Sequence, residues 1–204
     1  MRIGNVTHLP GTRLDLLDSL PKHAVCAELG VFAGDYSSQI LKRCQPKHLY
    51  LVDLFRGQIT SGDENGENMR TEDMEEMRWK LETKFGANPV SVVVADSIGW
   101  LLDQERGSLG WAYVDTSHDY QQTAGELIAA RDAVENGGWI CGHDFHREKF
   151  PGVVQSVMHF AMMHNLPLEI WEGDRLPSFK IKNVKRGDFH ANALEQPLGS
   201  SRLP

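Results

Sequence analysis

Four side chains in the second half of the chain have the types that do acid–base chemistry. Asp115 and His118 stand in Val114-Asp115-Thr116-Ser117-His118-Asp119-Tyr120, and His143 and Asp144 in Gly142-His143-Asp144-Phe145. An unperturbed imidazole titrates near neutral pH, so His118 and His143 are candidate general bases. His118 follows Asp115 by one short turn, which lets both face one cleft. A second group stands earlier. Glu28-Leu29-Gly30-Val31-Phe32-Ala33-Gly34 places two glycines behind an apolar run, permitting a tight turn and the close approach of a ligand to backbone. Phe32 occupies the middle glycine position of the GxGxxG dinucleotide fingerprint, so that fingerprint is absent. Asp53 stands 19 residues after Gly34, near the spacing at which an acid accepts hydrogen bonds from ribose hydroxyls. Asp96 is placed to accept from an exocyclic amine, and Asp96-Ser97 also has the make-up of a helix N-cap.

These residues follow or close apolar runs, which tells what positions them. Ala24–Leu29, His48–Asp53, Val90–Ala95, Trp111–Val114 and Trp139–Cys141 read as buried strands. Between them helical periodicity spans Tyr36–Cys44, Met69–Phe85 and Tyr120–Glu135, and Val153–Met163 follows the last strand. Met74, Met77, Leu81 and Phe85 form one stripe, and Gly86-Ala87-Asn88-Pro89 stops that helix. In the helix over 120–135, Ala124, Leu127, Ile128 and Val134 are expected to face inward. Leu168–Trp171 and Ser178–Ile181 flank Gly173-Asp174 as a terminal hairpin. Strand–helix alternation of this kind predicts a parallel sheet covered on both faces, with ligands bound beyond the carboxyl ends of the strands. That is where Glu28, Gly30, Asp53, Asp96, Asp115, His143 and Asp144 fall.

The length of 204 residues suits one domain, expected over residues 1–184, with a lid-like polar loop over 55–68 and a tail or arm over 185–204. Lys and Arg total 21 against 28 Asp and Glu, a net charge of -7 that disfavours nucleic-acid binding. Cys26, Cys44 and Cys141 are too scattered for a zinc ribbon or disulfide scaffold, and Cys26 and Cys141 read as small buried hydrophobes. Trp79, Trp100 and Trp111 are expected to pack in the core or at its rim. No apolar run reaches the ~20 residues of a membrane helix, and the first residues lack a secretory signal, so a cytoplasmic protein is expected.

The ordered runs AELGVFAGDYSS, YLVDLF, VVADS, AYVDTSHDY and GGWICGHDF resemble the class I S-adenosylmethionine-dependent methyltransferases. More narrowly, they resemble the small-molecule O-methyltransferase group that includes the macrocin-type enzymes. The resemblance covers about residues 24–165 and implies a Rossmann-like, doubly wound α/β fold. Its sheet would have seven mostly parallel strands, ending in a C-terminal antiparallel β-hairpin. It also implies S-adenosyl-L-methionine as cofactor and a hydroxyl of a small molecule, a sugar or phenolic natural product, as methyl acceptor. Glu28 and Gly30 would then approach the methionine end of the cofactor, and Gly34 would let the next helix pack close. Phe32 and Ser37 join the same cofactor-binding turn. Asp53 would hold the ribose, Asp96 and Ser97 would sit by the adenine, and Asp115 would fall near the sulfonium and the acceptor. Such a cofactor is cationic at sulfur and carries no phosphate, which suits carboxylates and close backbone.

In metal-dependent relatives, acids after the fourth and fifth strands ligate a divalent ion that lowers the pKa of the acceptor hydroxyl. Asp115 and Asp144 match those positions, with His143 as third candidate ligand; oxygen ligands suit Mg²⁺, and a histidine shifts preference toward Mn²⁺, Fe²⁺ or Zn²⁺. Many relatives have Asp-Asp or Asp-Asn where this chain has His143-Asp144-Phe145. The bland alternative is that Asp115 contacts the cofactor amine, Asp144 caps the next segment and no metal binds. Two other functions compete with the leading one: an NAD-dependent oxidoreductase, disfavoured by the absent fingerprint, and a catalytically inactive methyltransferase-like binding domain. A homodimer is expected by resemblance alone.

Overall fold

Apolar residues dominate the strand segments over 25–29, 48–52, 90–94 and 109–114, and such strands are stable only when both faces are covered. A computed structural model describes residues 6–61, 70–87 and 89–185 of the chain. In chain order the elements are β1 (Val6–Leu9), α1 (Arg13–Asp18), β2 (Val25–Leu29), α2 (Asp35–Cys44), β3 (His48–Asp53), β4 (Gln58–Ser61), β5 (Arg70–Asp73) and α3 (Met74–Phe85). There follow β6 (Val90–Val94), α4 (Ser97–Leu102), β7 (Leu109–Val114), α5 (Tyr120–Ala133), β8 (Val134–Gly142), α6 (Pro151–His164), β9 (Leu168–Trp171) and β10 (Ser178–Lys182).

The main sheet has the order β1-β9-β10-β8-β7-β2-β3-β6. β8, β7, β2, β3 and β6 run parallel, while β10 is antiparallel to both its neighbours. This is the Rossmann-like α/β arrangement expected, with the terminal hairpin placed between β8 and the sheet edge. Period-two alternation splits the core in two. Ala27, Leu29, Val52 and Val114 face the layer of α5 and α6, while Cys26, Leu51, Trp111 and Tyr113 face the layer of α1, α2 and α3. All three cysteines are buried free thiols.

Several expectations need correction. The sheet has eight strands rather than seven, because β1 adds to the outer edge parallel to β9. Four residues with only Val6 and Leu9 turned partly inward leave no periodic signal to read. α1 is equally short, held by a capping box in which Thr12 and Asp15 satisfy each other's backbone N–H groups. α3 starts at Met74 instead of Met69, since the Asp73 carboxylate accepts from the N–H groups of Glu75 and Glu76 and fixes the first turn there. The loop expected over 55–68 contains β4, paired antiparallel with β5; residues 62–69 lie outside the described residues, as do those of the tail from 186 on.

α5 turns only part of its expected face inward: Leu127 is buried, and Val134, also buried, opens β8. Ile128 is 59% exposed, while Thr123 and Glu126 are buried beside Leu127, Ala130 and Ala133. Two polar residues occupy the buried stripe because they have partners: Glu126 accepts from Ser97, Thr116 and Gln122. Trp111 is fully buried as expected, but Trp79 is 65% exposed.

Candidate active site

Parallel strands bring their carboxyl ends to one edge, and there the turns after β2, β3, β6, β7 and β8 surround a cavity of about 1110 Å³. Glu28, Gly30, Phe32, Asp53, Asp96, Ser97, Asp115, His118, His143 and Asp144 all line it. Of the expected cofactor-binding residues, Gly34 and Ser37 do not. They act from behind the wall.

Gly30 (φ +83°) is demanded by the sheet: a Cβ there would stand 2.0 Å from the carbonyl oxygen of Asp115. The same closeness lets Asp115 N–H donate to the carbonyl of Leu29 at 2.8 Å, so the ends of β2 and β7 are pinned together. At Gly34 (φ +72°) a Cβ would lie 2.3 Å from Leu81 Cδ2, so the close approach is made by α3 and not by the next helix, α2, as expected. Asp53 is turned back onto this corner. Its Oδ2 accepts from Val31 N–H at 2.8 Å and Phe32 N–H at 3.4 Å, and its Oδ1 from Phe55 N–H at 2.9 Å. Phe32 and Phe55 both have left-handed backbone (φ 48° and 47°), a cost that these bonds offset.

Glu28 is 2% exposed and reaches the cavity floor, where its Oε2 accepts from the Ser37 hydroxyl at 2.5 Å. Burial pushes its pKa up to about 8 against the pull of that bond, with the nearby charges of Asp115 and Asp53 adding to the rise. Asp96 is the N-cap of α4, accepting from Gly99 N–H at 2.8 Å, and so fulfils the structural alternative while also lining the cavity. Ser97 is buried and donates to Glu126 Oε1 at 2.5 Å.

On the other side of Gly30 the turns after β7 and β8 form a cluster. His118 Nε2 lies 2.7 Å from Asp144 Oδ2 and 3.3 Å from Asp115 Oδ1. His143 Nδ1 lies 3.0 Å from Asp144 Oδ1. Burial works against the charge of His118, but its bonds to the two carboxylates and their charges outweigh it and raise the imidazole to about 10. His143 shifts upward under the same opposition of burial and Asp144. For Asp144, burial is overcome by the two imidazoles, which hold its carboxyl well below the usual range. In this arrangement His118 Nε2 points at both carboxylates.

The donor set fits a divalent cation. One ligand atom each from Asp115, His118 and Asp144 lies within 4.8 Å of the others, and Asp144 Oδ1 is buried without an aligned hydrogen-bond donor. His118 therefore takes the place expected for His143. Sequence spacing held the signal, since His118 stands three residues after Asp115, but the helical caps did not reveal that both turns bend through left-handed backbone (φ 63° at His118, 59° at Asp144). Asp144 does not cap the next segment; its carboxylate faces the two imidazoles. Residues not singled out in the sequence also line the cavity: Arg13, Lys149 and Arg175. They come from elements without strand-end motifs.

Solved structures of low sequence identity share this fold. The chain is similar to the N-methyltransferase NodS from Bradyrhizobium japonicum (12% identity, 85% of this chain and 93% of that one, TM-score 0.56). It is similar to an O-methyltransferase family protein from Burkholderia thailandensis (11% identity, 85% of this chain and 56% of that one, TM-score 0.58). A third similar structure is a Streptococcus mutans protein in complex with SAH (12% identity, 83% and 94% covered, TM-score 0.54). No curated protein sequence matches the chain. The methyltransferase-domain family matches residues 27–145, from within β2 to the Asp144 turn, and with more than half of its length inside that match this chain belongs to the family.

Proposed function

We propose that this protein transfers a methyl group from S-adenosylmethionine to a hydroxyl group of a small molecule. The observation that carries the reading is the convergence of Glu28, Asp53, Asp96 and Asp115 from four neighbouring parallel strands on one cavity. A cationic ligand without phosphates is what such a wall attracts, and the volume of about 1110 Å³ leaves room for a second molecule beside a nucleoside. When bound, S-adenosylmethionine supplies a methyl group on a positively charged sulfur. Glu28 and the backbone at Gly30 and Phe32 would hold its methionine end, Asp53 its ribose, Asp96 and Ser97 the adenine. Gly34 and Ser37 serve indirectly, the first by admitting α3 and the second by orienting Glu28.

The acceptor oxygen would give a lone pair to the methyl carbon as the carbon–sulfur bond breaks toward sulfur, and the hydroxyl proton would pass to solvent, leaving S-adenosylhomocysteine and the methyl ether. Alignment of the two reactants by the cavity is the main contribution to rate. Asp115, His118 and Asp144 would hold a divalent cation, with Mn²⁺, Fe²⁺ or Zn²⁺ suited to the imidazole and Mg²⁺ to the carboxylates, supplying Lewis acidity toward the acceptor hydroxyl. His143 steadies Asp144 from the far side.

Calorimetric titration with S-adenosylhomocysteine tests the proposal. The native protein is expected to bind it, and Asp53→Ala to weaken binding at least about tenfold, the loss of a charged hydrogen-bond acceptor. Absence of binding to the native protein would overturn the function; unchanged affinity in the variant would overturn the ribose assignment.

A further inference from the structure

Glu126 is fully buried in α5 and has no part in the chemistry described above. Its carboxylate gathers three side chains that line the cavity. Ser97 Oγ donates to its Oε1 at 2.5 Å, Thr116 Oγ1 to its Oε2 at 2.9 Å, and Gln122 Nε2 to its Oε1 at 3.1 Å. Gln122 Nε2 also donates to Ser97 Oγ at 2.9 Å. The three donors come from the start of α4, the turn after β7 and the first turn of α5, so one buried group ties three separate segments of the wall together.

This network decides which way the Gln122 amide faces. Both hydrogens of Nε2 are engaged, one by Ser97 and one by Glu126. Turning the amide over would set its oxygen against the Glu126 carboxylate and against a hydroxyl whose hydrogen is already given. A glutamine three residues after a helix cap ordinarily reaches back to the cap's backbone N–H. Here Asp119 caps α5 by accepting from Gln122 N–H at 2.9 Å, while the Gln122 side chain turns away to Glu126. Among the described residues none donates to Gln122 Oε1. The outcome is a hydrogen-bond acceptor fixed on the cavity wall with no donor from the protein.

We propose that Gln122 selects the base of the cofactor: its Oε1 accepts a hydrogen of the 6-amino group of adenine, and Glu126 is the positioning residue that holds the amide for it. This rests on the methyltransferase reading of the same cavity and names the residue that distinguishes a 6-aminopurine from a 6-oxopurine. An amino group carries two hydrogens, so the second is left for Asp96 on the same wall. Ser97 has given its own hydrogen to Glu126 and serves the base through Gln122. A 6-oxo group would set oxygen against oxygen at Gln122, and a site built around a donor rejects an analogue that lacks it.

The test titrates the protein with S-adenosylhomocysteine and with S-inosylhomocysteine, which differ in the 6-amino and 6-oxo groups. The native protein is expected to prefer the first by about a hundredfold, and Gln122→Met to reduce that ratio about tenfold. The reduction should come from weaker binding of S-adenosylhomocysteine, with S-inosylhomocysteine bound as well as before, which also shows that the variant is folded. Glu126→Met should lower the ratio in the same way. Glu126→Gln should keep it, because an amide there can still accept from Ser97 and Gln122 while donating to Thr116. Equal native affinity for the two compounds, an unchanged ratio in Gln122→Met, or a parallel loss of both affinities would overturn the assignment while leaving methyl transfer intact. Failure of S-adenosylhomocysteine to bind the native protein would overturn the underlying function instead.

Discussion

His118 Nε2 lies 2.7 Å from Asp144 Oδ2, so one imidazole joins the turns that follow two neighbouring parallel strands, β7 and β8. Both residues sit in left-handed backbone (φ 63° and 59°), which costs a non-glycine residue roughly 1–2 kcal/mol. Their mutual contact, with Asp115 as third member, offsets that cost and sets the turns against the cavity.

Asp144→Asn removes the charge that His118 and His143 share. The expected loss is about 1–3 kcal/mol of stability, read as a lower urea midpoint, together with loss of methyl transfer. Addition of Mn²⁺ should raise the melting temperature of the native protein and leave that of the variant unmoved. An equal rise in both would place the cation elsewhere.

Glu28 should make stability depend on pH. Its value is about 8 in the folded protein against 4.5 for a free glutamate, so folding favours the neutral form. The stabilising contribution is complete below about pH 4.5 and is lost as pH rises through about 8. Urea midpoints measured across that window should fall for the native protein and stay flatter for Glu28→Gln. A cationic ligand at the cavity floor restores the charged form and should release a proton on binding, which titration in buffers of different ionisation enthalpy would detect. Identical pH profiles for the two proteins would count against Glu28 as the titrating group.

Gly30 and Gly137 separate steric need from backbone freedom. Both have positive φ (+83° and +84°), yet a Cβ at 30 meets the Asp115 carbonyl at 2.0 Å, whereas at 137 nothing lies within 4 Å. Gly137→Ala should cost only the left-handed term, about 1–2 kcal/mol. Gly30→Ala must also push β2 from β7, and a loss of about 4 kcal/mol or more is expected. Comparable denaturation midpoints in the two variants would contradict the packing at the β2–β7 corner.

The strands that carry the site were legible because each is a short apolar run closed by an acid or glycine, and the hairpin because Gly173-Asp174 separates two such runs. β1 and α1 were not, since four and six residues are too few to display a period. Ile128 on α5 was misread for a different reason. Hydrophobicity marks Ile128, but Glu126 is buried by partners contributed from α4 and the β7 turn, which no local pattern contains.

The same division runs through the site. Local sequence determined which residues end the strands and therefore that Glu28, Asp53, Asp96, Asp115, His143 and Asp144 reach one edge, because a parallel sheet aligns its carboxyl ends. Only tertiary structure decided that His118 rather than His143 completes the Asp115–Asp144 cluster, that Asp53 braces the Val31–Phe32 turn, and that Arg13 reaches the cavity. Those outcomes depend on how a turn bends and on which distant element packs beside it. Distances of a few ångströms between residues far apart in the chain are fixed by packing, and chain spacing does not encode them.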